Sequence, residues 1–431
     1  MGLALFVAEY NWLQCGALEM ISCGKVAYRS LQDESSRRCR FHPFLPVFVF
    51  LALAFPPGGD CAEPAGPPRH PTSTGSVPTE IRLESSTWWP TTGYTNREEY
   101  VGSKACVMCH AQKVASQTAT SMARASTRAA DSDQLKAHPN LSLQLGSYSY
   151  KLLSGNGSAV LSVSAGEEGT SKNLEWAIGD GRFGQTFIYR EQSRYYESQL
   201  SYYSRLNGLG TTTGHMEPKT LETAAGGLTT PIMIHQCFGC HSTASTTKSR
   251  FDPDGATMGI TCEACHGPGA SHVLLESQTG ETGGSSGSIM NPANLGPWDS
   301  VDFCGACHRT AADAVISGLS KMGAGSVRMQ PYRLQKSKCW GSGDARITCT
   351  SCHDPHVQVV SDPAVYDSKC FGCHLQKTIG KAGAVHRAPA CKVGKKDCVT
   401  CHMPKVEVPG TYTTFTDHWI RIARKGAPFP D

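Results

Sequence analysis

Seven times in this chain, two cysteines three positions apart are followed directly by a histidine. This C-x-x-C-H spacing is the pattern at which a haem is attached covalently, because the two thiols form thioethers with the porphyrin and the adjacent imidazole ligates the iron. The attaching cysteines would be Cys106, Cys109, Cys237, Cys240, Cys262, Cys265, Cys304, Cys307, Cys349, Cys352, Cys370, Cys373, Cys398 and Cys401. The axial histidines would be His110, His241, His266, His308, His353, His374 and His402.

Chance does not explain the repetition of this motif. Random placement of 20 cysteines and 16 histidines among 431 positions gives on the order of 0.03 matches to the pattern. Zinc is the alternative, because two C-x-x-C pairs can build a structural zinc site. Zinc would not require a histidine directly after the second cysteine seven times. The sequence therefore predicts seven covalently attached haems of the c type.

The N-terminal region has the features of an export signal. Arg37, Arg38 and Arg40 precede an apolar run from Pro43 to Phe55, which is too short to cross a membrane. A short buried segment is the alternative interpretation. Residues 1–62 are therefore predicted to be an N-terminal extension and export signal. Export to the periplasm or the cell surface fits this cofactor, because haem is joined to such motifs outside the cytoplasm.

The net charge argues against nucleic acid as a partner. The formal charge is +4 at pH 7. Seven haems would add two propionates each, or 14 negative charges, and would shift the net charge to about −10. Scattered lysines and arginines are then more simply partners of propionates than a surface that binds nucleic acid.

Composition and patterning divide the rest of the chain into four segments. They are a Pro/Ser/Thr-rich linker at 63–98, a first haem-binding segment at 99–139, a small β insert at 140–210 and a six-haem domain at 211–431. The 44 glycines and 25 prolines favour turns and loops around large apolar cofactors. We predict a mainly α and irregular multihaem cytochrome c fold built around stacked haems.

The β insert is placed between the first and second haem motifs. Strand-like patterning occurs at Ser147–Leu153, Ala159–Ser164 and Gln185–Arg190, with glycine-containing turns between the runs. Glycines at 179, 181 and 184 match a dinucleotide fingerprint, but no helix pattern follows them. A nucleotide site needs strand, turn and helix, so a hairpin is the better interpretation.

A second axial ligand decides whether a haem iron is closed or can bind a substrate. Outside the motifs and beyond the linker, the candidate histidines are His138, His215, His235, His272, His356, His386 and His418. The alternative for each is a surface or hydrogen-bonded histidine. Local context favours His272, His356 and His418 most strongly, and His386 is retained as a weaker candidate.

Chain length restricts which iron these residues can reach. His356 follows His353 by three residues, which span at most roughly 10–11 Å, too little to pass around a porphyrin to its far face. His356 would therefore serve a neighbouring haem, and the spacing of His272 from His266 suggests the same. Met122 lies 12 residues after His110 in a predicted helix, about 18 Å along its axis, so it too could reach only another iron. Packing is the alternative role for Met122.

Several segments resemble one family. Tyr100–Cys106, Gly259–Gly269, Cys352–His356, Cys401–Lys405 and Thr416–His418 are similar to segments of the multihaem c-type cytochromes related to the tetrahaem carrier that accepts electrons from hydroxylamine oxidation. The resemblance implies bis-histidine haems in stacked pairs and electron transfer. It also implies distal ligation by His215, His272, His356 and His418, and supports Met122, because relatives often place a histidine or methionine after the first motif. Seven motifs exceed the four of the tetrahaem carrier.

The leading hypothesis is an exported heptahaem cytochrome that carries electrons between other redox proteins, with no integral membrane span and no catalytic residues. One alternative is a reductase or oxidase of a small nitrogen or sulfur compound with one open iron. Another is a subunit of a cytochrome filament. Cys339 and Cys391 remain outside the motifs, and the sequence allows either a disulfide or two separate thiols.

Overall fold

The structure is a computed structural model that describes residues 95–279, 289–321, 323–341, 343–374, 391–408 and 410–424. The predicted export signal and the candidate ligand His386 lie outside the described residues. None of the helices in the described part of the chain is long and apolar enough to cross a membrane.

Nine strands between the first and second motifs form one antiparallel sheet. These strands are β1 Ser126–Arg128, β2 Asn140–Leu145, β3 Tyr148–Gly155, β4 Ser158–Ala165, β5 Glu168–Ile178, β6 Gly184–Glu191, β7 Arg194–Tyr203, β8 Gly208–Thr211 and β9 Gly226–Leu228. Strands β2 to β8 pair in sequence order, while β1 pairs with β5 and β9 pairs with β7. The sheet curls until β2 approaches β8, so it nearly closes on itself.

Tight turns and alternating apolar residues produce this sheet. Asn156 and Gly157 both have positive φ, at 51° and 74°, as the two-residue turn between β3 and β4 requires. The register places Leu152 opposite Leu161, and both side chains are fully buried. The inner face of the sheet thereby contributes most of the largest hydrophobic cluster.

The predicted mainly α and irregular fold is wrong. The described residues are 38% helix and 25% strand, and the large sheet exceeds the small insert that the sequence suggested. The three strand-like patterns coincide with β3, β4 and β6. Strand β7 gave no comparable pattern because its last six residues are all buried, and covering both faces removes the alternation of polar and apolar residues.

The remaining elements are mostly short. The helices are α1 Ser103–Thr118, α2 Asp133–Ala137, α3 Leu221–Ala225, α4 Pro231–His241, α5 Cys262–His266, α6 Ala270–Thr279, α7 Pro297–His308, α8 Ala311–Ile316, α9 Gln330–Gln335, α10 Cys349–Cys352, α11 Asp367–His374 and α12 Cys398–His402. Three two-stranded ladders use β10 Ser242–Thr243, β11 Thr246–Thr247, β12 Arg250–Phe251, β13 Thr257–Met258, β14 Lys405–Glu407 and β15 Thr414–Thr416.

The sheet packs directly on the helix that carries the second motif. Trp176 of β5 meets Phe238 of α4 edge to face, with ring centroids 5.3 Å apart. Ile188 and Ile234 complete this buried cluster. Helix α4 begins where Thr230 accepts a hydrogen bond from the Met233 amide and Pro231 fills the first helical position. The sheet and the motif-bearing part of the chain therefore share a core.

Candidate functional site

Each C-x-x-C-H motif coincides with the end or an interruption of a helix. Helices α4, α5, α7, α11 and α12 end at the motif histidine, and α10 ends one residue before it. In α1, the backbone leaves helical geometry at His110 itself, with φ −118° and ψ 34°. Cysteines at positions i and i+3 share a helix face. Every motif thus presents two thiols on one face and an imidazole at the end of that face.

Thiols of different motifs lie near each other. The pairs Cys106 and Cys262, Cys240 and Cys307, Cys304 and Cys349, and Cys370 and Cys398 are each close enough to shift the pKa of a thiol. Cys265 also packs against the cluster around Phe303 of α7. The fourth motif, on α7, therefore has the second, third and fifth motifs as neighbours. The first five motifs therefore form one connected group, and the sixth and seventh motifs form a pair.

Two pairs of imidazoles have nearly the same separation. The ring centroids of His266 and His356 are 6.1 Å apart with planes inclined by 17°, and those of His353 and His418 are 6.2 Å apart with planes inclined by 45°. Two metal–nitrogen bonds of about 2.0 Å, plus about 1.1 Å from each Nε2 to its ring centre, give about 6.2 Å across a bis-histidine metal ion. Both gaps have the width that one iron between two imidazoles requires.

Hydrogen bonds at Nδ1 leave Nε2 available to ligate a metal ion. The Nδ1–H groups of His241, His266, His402 and His418 each donate to a backbone carbonyl, at 3.0, 2.9, 2.9 and 3.0 Å. His356 Nδ1 donates to the Asp354 carboxylate at 3.0 Å. A proton fixed at Nδ1 places the lone pair on Nε2 and orients the ring. This is the outer-shell arrangement that iron-ligating histidines need.

Burial keeps several candidate ligands uncharged. It lowers the pKa values of His241, His308 and His353, and that of His418 to about 4, so these imidazoles stay neutral and able to ligate. Burial also raises the pKa of the Cys237 thiol to about 12, whereas the neighbouring Cys106 lowers that of Cys262 to about 6. Two thiols beside a neutral imidazole are the donor set that covalent attachment of haem requires.

Other candidate ligands lie in different surroundings. His215 is bound at both ring nitrogens, with Nδ1 2.9 Å from Gln199 Oε1 and Nε2 3.0 Å from Glu197 Oε2. His138 stacks on a tyrosine of the sheet. The side chains of His235 and His272 lie near Phe251 and Glu276, respectively.

Met122 is not in a helix, because α1 ends at Thr118. It lies in the following turn, where its carbonyl accepts a hydrogen bond from the Ile260 amide next to the third motif. Cys339 and Cys391 are not joined by a disulfide. Cys391 is exposed, whereas Cys339 is half-buried.

Glu263, inside the third motif, carries a role that the sequence does not signal. Its carboxylate is buried, and it accepts hydrogen bonds from the amides of Val101, Gly102 and Gly269 at 2.9, 2.8 and 2.8 Å. Val101 and Gly102 lead directly into the first motif. One side chain thus fixes the start of α1 against α5, which brings the first and third motifs together.

Comparisons with known proteins agree with this chemistry. Residues 210–267 match the family model of cytochrome c554 and c-prime. The chain is 25% identical over 187 residues to the multiheme cytochrome MtrA of Shewanella baltica, a match that covers 36% of this chain and 56% of that relative. The crystal structure of the outer cell wall cytochrome OcwA superposes with a TM-score of 0.41 at 15% identity, covering 75% of this chain and 80% of that one.

The motifs and the two sequence matches define the class. The chain is a multihaem c-type cytochrome, its cofactor is haem c, and membership of this class implies electron transfer. The matched region spans little more than half of the curated relative.

Proposed function

We propose that this chain is an exported cytochrome that attaches seven haems, one at each C-x-x-C-H motif, and conducts electrons between redox proteins. When bound, haem iron supplies a reversible one-electron couple. The observation that carries the proposal is the width of the His266–His356 and His353–His418 gaps, each matched to one bis-histidine iron. The nearness of thiols from different motifs supports close packing of the cofactors.

The chain's own residues would tune and enclose the irons. Buried neutral imidazoles with Nδ1 bound to carbonyls are strong, fixed donors, and closing both faces of an iron stops it from binding small molecules. His356 lies within reach of the histidine of the third motif rather than that of its own. Ligands exchanged between motifs in this way would hold neighbouring haems in fixed positions, which suits electron transfer.

Intact mass and EPR spectra of the purified holoprotein test this function. The expected result is a mass increase of seven haems with low-spin signals from bis-histidine irons. A variant with both Cys370 and Cys373 changed to alanine is the matched control and should lose one haem. A smaller increase in the native protein would contradict the count, and the control would show whether the assay resolves a single haem.

A catalytic haem is the second candidate function, and one observation favours it. The family resemblance implies His215 as a distal ligand. Its Nε2 atom, however, is hydrogen-bonded to the Glu197 carboxylate. Glu197 also lies close enough to Cys237 of the second motif to affect the pKa of that thiol. An iron without His215 would have one open face beside an acid–imidazole pair. A high-spin EPR fraction near one haem in seven would support this candidate over a pure carrier.

A further inference from the structure

The segment Thr416–Arg421 contacts two haem motifs at once. The ring of His418 lies 6.2 Å from the ring of His353, the histidine of the fifth motif. Three residues along the chain, the carbonyl of Arg421 accepts the Nδ1–H hydrogen bond of His402, the seventh motif histidine, at 2.9 Å. The Arg421 amide in turn donates to the His402 carbonyl at 3.1 Å. The position of this segment therefore affects a distal imidazole at one motif and the proximal imidazole at another.

A fully buried ion pair holds the segment in place. Arg333 of α9 donates from Nε and Nη2 to the two oxygens of Asp417, at 2.8 and 2.9 Å, and neither side chain is exposed to solvent. Asp417 immediately precedes His418. Its carboxylate also accepts a hydrogen bond from the Trp419 amide at 3.0 Å and forms an ion pair with Arg421. A two-pronged guanidinium–carboxylate pair fixes orientation as well as position.

Weaker contacts hold the same segment from the same side. Ser337 Oγ donates to the His418 carbonyl at 3.3 Å and accepts the Ile420 amide at 2.8 Å. The Arg333 guanidinium also stacks over the Trp419 ring, with 4.9 Å to its centroid. These contacts fix the residues that precede and follow His418 in the chain. The imidazole therefore has little freedom to leave the position that faces His353.

We propose that Arg333 is a positioning residue that, through Asp417, holds His418 on the distal side of the fifth haem and the Arg421 carbonyl on the proximal histidine of the seventh. This inference rests on the proposed function. A buried ion pair could equally be retained for folding alone. The two roles differ because only positioning predicts changes confined to two irons in a protein that remains folded.

The test compares Arg333→Gln, His418→Ala and Arg190→Gln in the holoprotein. Arg190 also pairs with two carboxylates, Glu175 and Asp254, but it belongs to the sheet and serves as the control. In Arg333→Gln we expect a high-spin EPR signal from about one haem in seven, converted back to low spin by added imidazole. Loss of the carbonyl partner of His402 should also raise the potential of one further haem, because the imidazole becomes a weaker donor. Arg190→Gln should change neither property.

The outcomes distinguish a failure of this inference from a failure of the proposed function. If His418→Ala stays entirely low-spin, His418 is not a ligand and that part of the proposed function fails. If His418→Ala becomes high-spin but folded Arg333→Gln does not, the positioning role is refuted. Should Arg333→Gln not fold, Ser337→Ala removes a milder contact and is expected to let ferrous protein bind carbon monoxide at about one haem in seven. No binding in folded Ser337→Ala would then overturn the inference.

Discussion

Replacing Glu263 by glutamine should loosen the junction between the first and third motifs. The carboxylate accepts three backbone amides at 2.8–2.9 Å in a buried position. In either orientation of the new amide group, at least one backbone N–H faces another donor. An unpartnered buried donor costs about 1–3 kcal/mol, and a hydrogen bond to a neutral acceptor is weaker than one to a charged acceptor by about 1 kcal/mol. The expected loss in unfolding free energy is about 3 kcal/mol.

Chemical denaturation and hydrogen exchange measure this loss. If the junction opens locally, exchange at the Gly102 amide should accelerate about 100-fold, because each 1.4 kcal/mol corresponds to a factor of ten. Glu407→Gln is the matched control. Its partner Arg205 lies 3.0 Å away, but both side chains are more than half exposed, so the expected cost is below about 1 kcal/mol.

The reasoning is refuted if Glu263→Gln costs no more than Glu407→Gln and exchange in the peptide that contains Val101 and Gly102 is unchanged. In that case the three hydrogen bonds would not hold α1 against α5. The spectra of the first and third haems provide a further check, because a loosened junction should alter those two before the others.

Three further results are expected. His356→Ala should open the iron that faces His266, giving a high-spin EPR signal that added imidazole removes; an unchanged spectrum would exclude His356 as a ligand. Trp176→Ala should destabilise the fully buried sheet core by about 3–5 kcal/mol in urea, while the irons of the folded fraction stay low-spin. Gly259→Ala should cost about 2–5 kcal/mol, because φ is +78° and a Cβ would lie 1.9 Å from the Ala123 carbonyl oxygen; a thermal midpoint equal to that of the native protein would contradict this.

The chemistry of this chain could be predicted from sequence because it depends on local spacing. A C-x-x-C-H motif needs only five consecutive residues, and the short span between His353 and His356 excludes a shared iron without any structure. The structure places His356 opposite His266, consistent with that geometric restriction. Its role as a ligand stays a prediction.

The sheet and the supporting residues could not be predicted in the same way. Strand β7 is buried on both faces over its last six residues, so it shows no alternating pattern. Arg333 and Asp417 are 84 residues apart, and nothing local marks either as the partner of the other. Glu263 is one of the two residues between the cysteines of a motif, a position that the motif does not restrict and that has no role in attaching haem. Such contacts depend on tertiary packing, which a single sequence does not encode in any short pattern.

The crowding of motifs around α7 has a consequence for redox titrations. Thiols of the fourth motif lie near those of three others: Cys307 lies near Cys240 of the second and Cys265 of the third, and Cys304 lies near Cys349 of the fifth. Two like charges about 10 Å apart repel by about 1.7 kcal/mol at an effective dielectric constant of 20. A haem with three neighbours should therefore become progressively harder to reduce as those neighbours take up electrons. Its titration curve should then be shallower than that of an isolated one-electron centre. Removing the second motif with Cys237→Ala and Cys240→Ala should steepen that curve, and an unchanged slope would show that the centres titrate independently.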